Sequence, residues 1–324
     1  MSKIKRICVL GGTGFVGQHI VSRLASHGYD VRVLTRHRER HRELLVLPTV
    51  EVKTADVHNQ QDLTKQFAGV DAVINLIGIL NETSKKHQQF QTVHVDLTHK
   101  VMDACHQNDI FRLLHMSALR ADAARGTSKY LRSKGQAENL VHTNSGINVT
   151  SFRPSVIFGK GDSFLNRFAK LLKLAPKMLP FPLACPNAKF APIYVEDITT
   201  AFVASLENKD TYGQRYNLCG PMVYTLKELV QYVAEVSGNP HSIMGLGDGL
   251  SKTEAILMEL APGNLFSLDN YQSMKTDSIC DDEFPAIFNL KPTSIESVAP
   301  GYLANDSKSR EKFYIYRTHA KRDL

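Results

Sequence analysis

The chain has 324 residues, enough for one large or two modest domains, with 43% apolar residues to form a core and 22% charged residues. No apolar run approaches the ~20 residues that a membrane helix needs, and Met1 to Arg6 leaves no room for a signal or transit peptide before the first expected strand. The net charge of +7 suits an anionic ligand or acidic headgroups, but no zinc finger, basic zipper or ribonucleoprotein motif accompanies it, so nucleic acid is not indicated.

Ile7 to Leu10 is a short apolar run ending at glycines and predicts a buried strand. Val16, Ile20 and Leu24 have helical spacing from Phe15 to His27, and Gly28 closes that helix. Val31 to Leu34 predicts a second strand, which completes a βαβ unit with a right-handed crossover. The alternation continues. Strands are expected at Val50–Val52, Ala72–Ile77, Phe111–Met116 and Asn148–Phe152, with helices at Gln60–Phe67, Phe90–Gln107 and Tyr130–His142. This rhythm predicts an α/β fold with a doubly wound parallel sheet of the Rossmann type. After residue 155 prolines cluster (Pro176, Pro180, Pro182, Pro186, Pro192) and the alternation is lost. The expected organisation is a dinucleotide-binding domain over 1–155 and a smaller α/β substrate lobe over 156–324, with late returns to the sheet at about 190–218.

Gly11, Gly14 and Gly17 lie between a predicted strand and a predicted helix. In that context the three glycines permit a tight turn, a close backbone approach to a pyrophosphate, and close helix–strand packing. The helix N-terminus adds free N–H groups and positive charge. The predicted ligand is therefore a dinucleotide. The second strand ends Leu34-Thr35-Arg36, followed by His37, Arg38 and Arg40, and its one acid, Asp30, is at the wrong end. An arginine there suits a 2′-phosphate, so NADP(H) is preferred, with NAD(H) as the alternative. Asp56, with Val57 beside it, is the expected partner of the adenine edge.

Tyr130 and Lys134 form Y-x-x-x-K, which on a helix places both side chains on one face. A neighbouring ammonium is expected to lower the phenol pKa toward working pH. Tyr271 and Lys275 have the same spacing, but only Tyr130 follows a strand ending in a hydroxyl, Ser117, at the carboxyl edge where ligands bind. Tyr271 is read as a packing or surface residue.

These features, with Arg153-Pro154-Ser155, resemble an extended or atypical short-chain dehydrogenase/reductase. The segments HVD (94–96), RPSVIFG (153–159), DSFLNR (162–167), APIYVED (191–197) and YNLCGPMVYT (216–225) are similar to the family of the nucleotide-binding accessory subunit of mitochondrial complex I and its bacterial relatives. The resemblance runs from about residue 5 to 240. It implies that Gly11, Thr13, Gly14 and Gly17, with Phe15 and Val16, hold the pyrophosphate and that Arg36 holds the 2′-phosphate. Leu76, Ile77 and Gly78 would line the adenosine side, and Pro154 and Val156 the nicotinamide end. Ser117, Tyr130 and Lys134 would form the active triad, with Tyr130 and Lys134 also reaching the nicotinamide ribose. It implies an NADP(H)-dependent oxidoreductase or epimerase-type enzyme acting on a small molecule and linked to respiratory or quinone metabolism. The alternative is a non-catalytic NADPH-binding subunit or assembly factor of a respiratory or quinone-pathway complex.

The remaining features are weaker. The five cysteines are dispersed without a C-x-x-C pair, so neither zinc nor a disulfide framework is expected, and a reduced, cytoplasmic setting follows, peripheral to a membrane at most. His37 and His41 have i, i+4 spacing but lie among arginines that repel a metal. Phe164, Leu165, Phe168, Leu171 and Leu172 share a face interleaved with Arg167, Lys170 and Lys173. That helix faces either the lobe's core, the favoured reading, or an anionic membrane surface. The tail from Lys308 to Leu324 is basic and aromatic and could serve as a partner-binding arm. No motif encodes a substrate class or an oligomeric state.

Overall fold

A computed structural model describes residues 3–82, 89–143, 146–260 and 266–304. The tail from Lys308 lies outside the described residues. The first strands are β1 (Arg6–Leu10), β2 (Asp30–Thr35), β3 (Val50–Thr54), β4 (Ala72–Asn75), β5 (Arg112–Met116) and β6 (Asn148–Pro154). Between them run helices α1 (Phe15–Ser26), α2 (Gln60–Gln66), α3 (Leu97–Gln107) and α4 (Lys129–Thr143). Four short strands follow: β7 (Ile157–Phe158), β8 (Phe181–Leu183), β9 (Lys189–Phe190) and β10 (Ile193–Tyr194). The strand β11 (Arg215–Leu218) then joins the main sheet, whose order is β11-β6-β5-β4-β1-β2-β3. Every pairing in it is parallel.

The chain direction of the winding reverses between β1 and β4. Their carboxyl ends therefore open the crevice in which doubly wound sheets bind ligands. The period-2 alternation of each strand fills two separate cores. Ile7, Val9, Val31, Val33 and Ile74 meet α1 and the later helix α6 (Val195–Ser205) on one face. Cys8, Leu10, Leu34 and Val73 meet α2, α3 and α4 on the other. Arg112 of β5, almost fully buried, ties the sheet to the end of α6 by donating to the Ser205 and Leu206 carbonyls and to Thr150 and Thr211.

A third core, including Leu165, Leu172, Leu229, Val233 and Ile295, belongs to the lobe after residue 155. It packs α5 (Leu165–Leu174) on α7 (Leu226–Val236). The return expected at about 190–218 divides: Arg215–Leu218 enters the main sheet, whereas β9 and β10 pair outside it, β9 with β12 (Tyr224–Thr225) and, at Phe190, in a bridge to Ser278, and β10 with β7. The helix expected to be uniform from Phe90 starts instead with a π-helical stretch, Gln91–Asp96.

Candidate functional site

The glycine turn meets the geometry that a pyrophosphate requires. Gly11 has φ +76°, a conformation that side chains disfavour, and its carbonyl accepts from the Gly14 N–H at 3.0 Å. A Cβ on Gly17 would lie 2.2 Å from that same carbonyl oxygen, so only glycine lets α1 rest on the turn. Gly14 starts α1 with no side-chain cap, and the first turn holds no acid. Its N–H groups thus remain available to an anion. A Cβ on Gly11 would touch Leu76 and Ile77 at 3.2 Å, which places the β4 end directly against the turn. Arg36, Asp56 and Val57 stand just past the ends of β2 and β3, which run in register up to Thr35 and Thr54. Arg36 and Asp56 are exposed there; Asp56 accepts from the His58 N–H at 3.0 Å.

Beyond the turn a cavity of about 500 Å³ opens between sheet and lobe. Phe15, Val16, Leu76, Gly78, Pro154 and Val156 are part of its lining, and Ser117, Tyr130 and Lys134 also reach it. Ser117 follows β5, is 3% exposed, and its Oγ has no hydrogen-bond partner among the described residues. An unsatisfied buried hydroxyl is costly, so a group aimed into a cavity without a protein partner points to a ligand. Gly11, Thr13, Gly14, Gly17, Arg36, Asp56, Val57 and Ile77 do not line this cavity.

One expectation reverses. Lys134 does not lower the Tyr130 phenol. Its Nζ donates to the Met116 carbonyl at 2.6 Å, and burial pushes its own pKa down to about 8, opposed by Glu138. Tyr130 is instead pushed up to about 12, by burial first and then by the charge of Asp269. At neutral pH the phenol is a proton donor.

The sequence reading did not single out His94 as part of this group. The π-helical stretch places it, buried, against Tyr130, with ring centroids 5.7 Å apart. Its Nε2 accepts from the Ile79 N–H at 3.1 Å, which leaves the proton on Nδ1 to donate to Ser133 Oγ at 2.8 Å. Ser133 Oγ in turn donates to the Tyr130 carbonyl at 2.9 Å. Burial, then Lys134, pushes His94 down to about 3, so the ring is neutral. The HVD segment holding His94 and the position of Ser133 inside Y-x-x-x-K were the available signals.

The far wall comes from late in the chain. Ser155 Oγ donates to the Ser278 carbonyl at 2.6 Å, which also accepts from the Ala191 N–H. Beside it, Cys219 and Cys280 form a disulfide, contrary to the expectation from cysteine spacing. The partners lie 61 residues apart and only the fold brings their Cα atoms to 6.0 Å, so no local spacing could announce the pair. On α5 the apolar face is turned inward: Phe168 and Leu171, with Phe164 just before the helix, line the cavity, and Leu165 and Leu172 enter the lobe core. The helix thus takes the core-facing arrangement, with Phe164, Phe168 and Leu171 half-buried. Tyr271 is buried with its hydroxyl donating to Asp248 at 2.6 Å, a packing role. His37 and His41 flank a short 3-10 turn (Arg38–Arg40), and His41 Nδ1 lies 3.4 Å from Glu43. No group of three metal-ligating side chains occurs among the described residues, and none of their helices is long and apolar enough to cross a membrane.

A seven-stranded parallel sheet with a glycine turn at the β1–β4 crevice and a Ser-Tyr-Lys group beside it defines an extended short-chain dehydrogenase/reductase. The sequence profile of the NAD dependent epimerase/dehydratase family matches residues 7–219, and the chain belongs to that family. Among its relatives, the mitochondrial NADH dehydrogenase [ubiquinone] 1 alpha subcomplex subunit 9 of Arabidopsis thaliana is 29% identical over 289 residues, spanning 85% of this chain and 70% of the relative. The mitochondrial NADH-ubiquinone oxidoreductase 40 kDa subunit of Neurospora crassa is 25% identical over 322 residues, spanning 98% and 80%. The NADPH-dependent quinone oxidoreductase QOR2 of Escherichia coli, solved with NADPH, shares the fold with a TM-score of 0.71 over 90% of this chain and 98% of that one, at 17% identity.

Proposed function

We propose that this chain is an NADP(H)-dependent oxidoreductase that reduces a carbonyl compound. The carrying observation is the buried, unpartnered Ser117 Oγ in a cavity shared with Tyr130 and Lys134 next to the glycine turn. Gly11, Thr13, Gly14 and Gly17 hold the pyrophosphate at the start of α1. Arg36 takes the 2′-phosphate, and Asp56 with Val57 takes the adenine edge. Leu76, Ile77 and Gly78 line the adenosine side, and Pro154 and Val156 the nicotinamide end. A bound dihydronicotinamide supplies hydride. Ser117 and Tyr130 hold the substrate oxygen, and the protonated Tyr130 hydroxyl gives that oxygen its proton. Lys134, held on the Met116 carbonyl with its pKa pushed down to about 8 by burial, faces the same cavity and reaches the nicotinamide ribose.

The test has two parts. Mass spectrometry of nucleotide copurifying with the protein should find NADP(H), and Arg36→Ala should weaken NADPH binding at least tenfold while leaving NADH binding within twofold. Tyr130→Phe should abolish carbonyl-dependent NADPH oxidation; undiminished turnover in that variant would exclude the mechanism.

A second reading is favoured by one observation: Lys134 is committed to the Met116 carbonyl. In that reading the chain is a non-catalytic NADPH-binding subunit or assembly factor of a respiratory complex; two of its relatives are named as subunits of mitochondrial NADH dehydrogenase [ubiquinone] and NADH-ubiquinone oxidoreductase. Its signature is NADPH that copurifies, stays reduced with every carbonyl or quinone offered, and leaves with a respiratory complex on native gels.

A further inference from the structure

The wall of the cavity carries information about the substrate that no sequence motif holds. Away from Ser117 and Tyr130 it is built from Phe164, Phe168, Leu171, Phe181, Phe190 and Met258. Polar side chains are present too, and the protein has already engaged most of them; Ser163, which is exposed, and Glu254 are exceptions. Ser155 donates to the Ser278 carbonyl, and Asn270 is divided between the Leu80 carbonyl and the Ser267 N–H. Ser273 donates to Ser128, and Thr276 pairs with Thr127. The two guanidinium groups of the wall are engaged as well, Arg120 by both oxygens of Asp281. The contrast is Glu254 of α8 (Asp248–Leu260), whose Oε2 is buried without a hydrogen-bond partner and whose carboxyl is pushed up from its ordinary pKa by burial.

A sugar or a diphosphate would have to bring many hydroxyls or charges against groups that are already satisfied, leaving them unpaired. An anion would also meet Glu254. An apolar body needs no such partners and gains by displacing water from the aromatic wall.

Building on the oxidoreductase reading, we propose that the substrate is an uncharged lipophilic ketone or aldehyde, with its one polar group at Ser117 and Tyr130 and its apolar body between α5, β8 and Met258. The carbonyl carbon gains a hydride from NADPH and the oxygen gains the Tyr130 proton; the products are an alcohol and NADP⁺, and one proton taken up from solvent restores the phenol.

The experiment uses the full chain with NADPH and a series of alkan-2-ones from five to twelve carbons, together with a UDP-4-keto-sugar. Turnover is read from NADPH absorbance and binding, independently, by calorimetry on the nucleotide-free protein. Affinity and kcat/KM should rise by roughly threefold per methylene until the cavity is filled, and the sugar nucleotide should bind more weakly than the best ketone. Glu254→Gln should narrow the preference for a neutral ketone over its ω-carboxylate counterpart by about tenfold. Affinity that is flat with chain length, or tighter binding of the sugar nucleotide, overturns the proposal. Length-dependent binding without any turnover supports the lipophilic site while removing the oxidoreductase reading, so the two failures are separable.

Discussion

Asp269 caps the helix that carries Tyr130, accepting from the Tyr130 backbone N–H at 3.1 Å and from that of Lys129 at 2.7 Å across a sequence separation of 139 and 140 residues. One carboxylate thus both orders the first turn of α4 and raises the phenol pKa. Asp269→Ala should cost about 1 kcal/mol of stability, as a lost cap does, measured by urea denaturation. Asp269→Asn keeps an acceptor but removes the charge, so Tyr130 should titrate lower than about 12. Phenolate absorbance, with Tyr130→Phe as the subtraction, reads that shift; an unchanged titration would contradict the electrostatic coupling.

Acid should destabilise the protein through its buried histidines. His94 falls from an ordinary 6.5 to about 3, His142 to about 4, and His115 well below 6.5, each by burial first. Between pH 6.5 and about 4 the unfolded chain therefore binds protons that the native chain refuses. Stability rises with pH in that window and is lost as pH falls through it. Thermal midpoints measured from pH 7.5 down to 4.5 should show this loss, and it should be shallower in His94→Asn, which retains one polar side chain but no titration.

Glu138 holds the edge of the sheet. It is 1% exposed and accepts from Arg153 of β6, with both oxygens 2.9 Å from Nε, and from Arg215 of β11 at 2.7 Å. Glu138→Gln leaves the half-buried Arg153 and the exposed Arg215 without their counter-ion, which should cost about 3 kcal/mol. Hydrogen exchange should locate the loss at β11, the outermost strand. Equal loss of protection across β1 and β4 would argue against this local role.

The Cys219–Cys280 bond pins the segment bearing Ser278 to the end of β11. Cys280→Ser should lower stability by about 2–4 kcal/mol under non-reducing conditions. Dithiothreitol should lower the wild-type melting point by a comparable step and leave that of the variant unchanged. A wild-type midpoint insensitive to dithiothreitol would mean that the bond contributes nothing to stability.

Much of this was legible in local pattern. The strands from Ile7 to Phe152 could be read because each is an apolar run between turn residues, and the glycine turn because its strand and helix flank it within a dozen residues. Ser117, Tyr130 and Lys134 were legible from spacing and from their place after a strand. What escaped depended on distant chain segments. Nothing near residue 130 says that Asp269 will cap it, and nothing near Cys219 names Cys280. The Tyr130 pKa was misjudged because spacing gave a lysine on the same face, while burial and Asp269 outweighed it. The inward turn of α5 also needed the fold, since Phe168 and Leu171 would look the same against a bilayer.

The dependence of the cavity on Asp269 and Ser278 has a consequence for how the protein is made. During synthesis the sheet from β1 to β6 is complete as a sequence well before residue 269 leaves the ribosome. Until then the start of α4 lacks its cap and Ser155 lacks its partner. The nascent chain would therefore be able to grip a dinucleotide long before it can enclose a substrate, and ribosome-stalled chains ending near residue 220 should acquire the first property without the second.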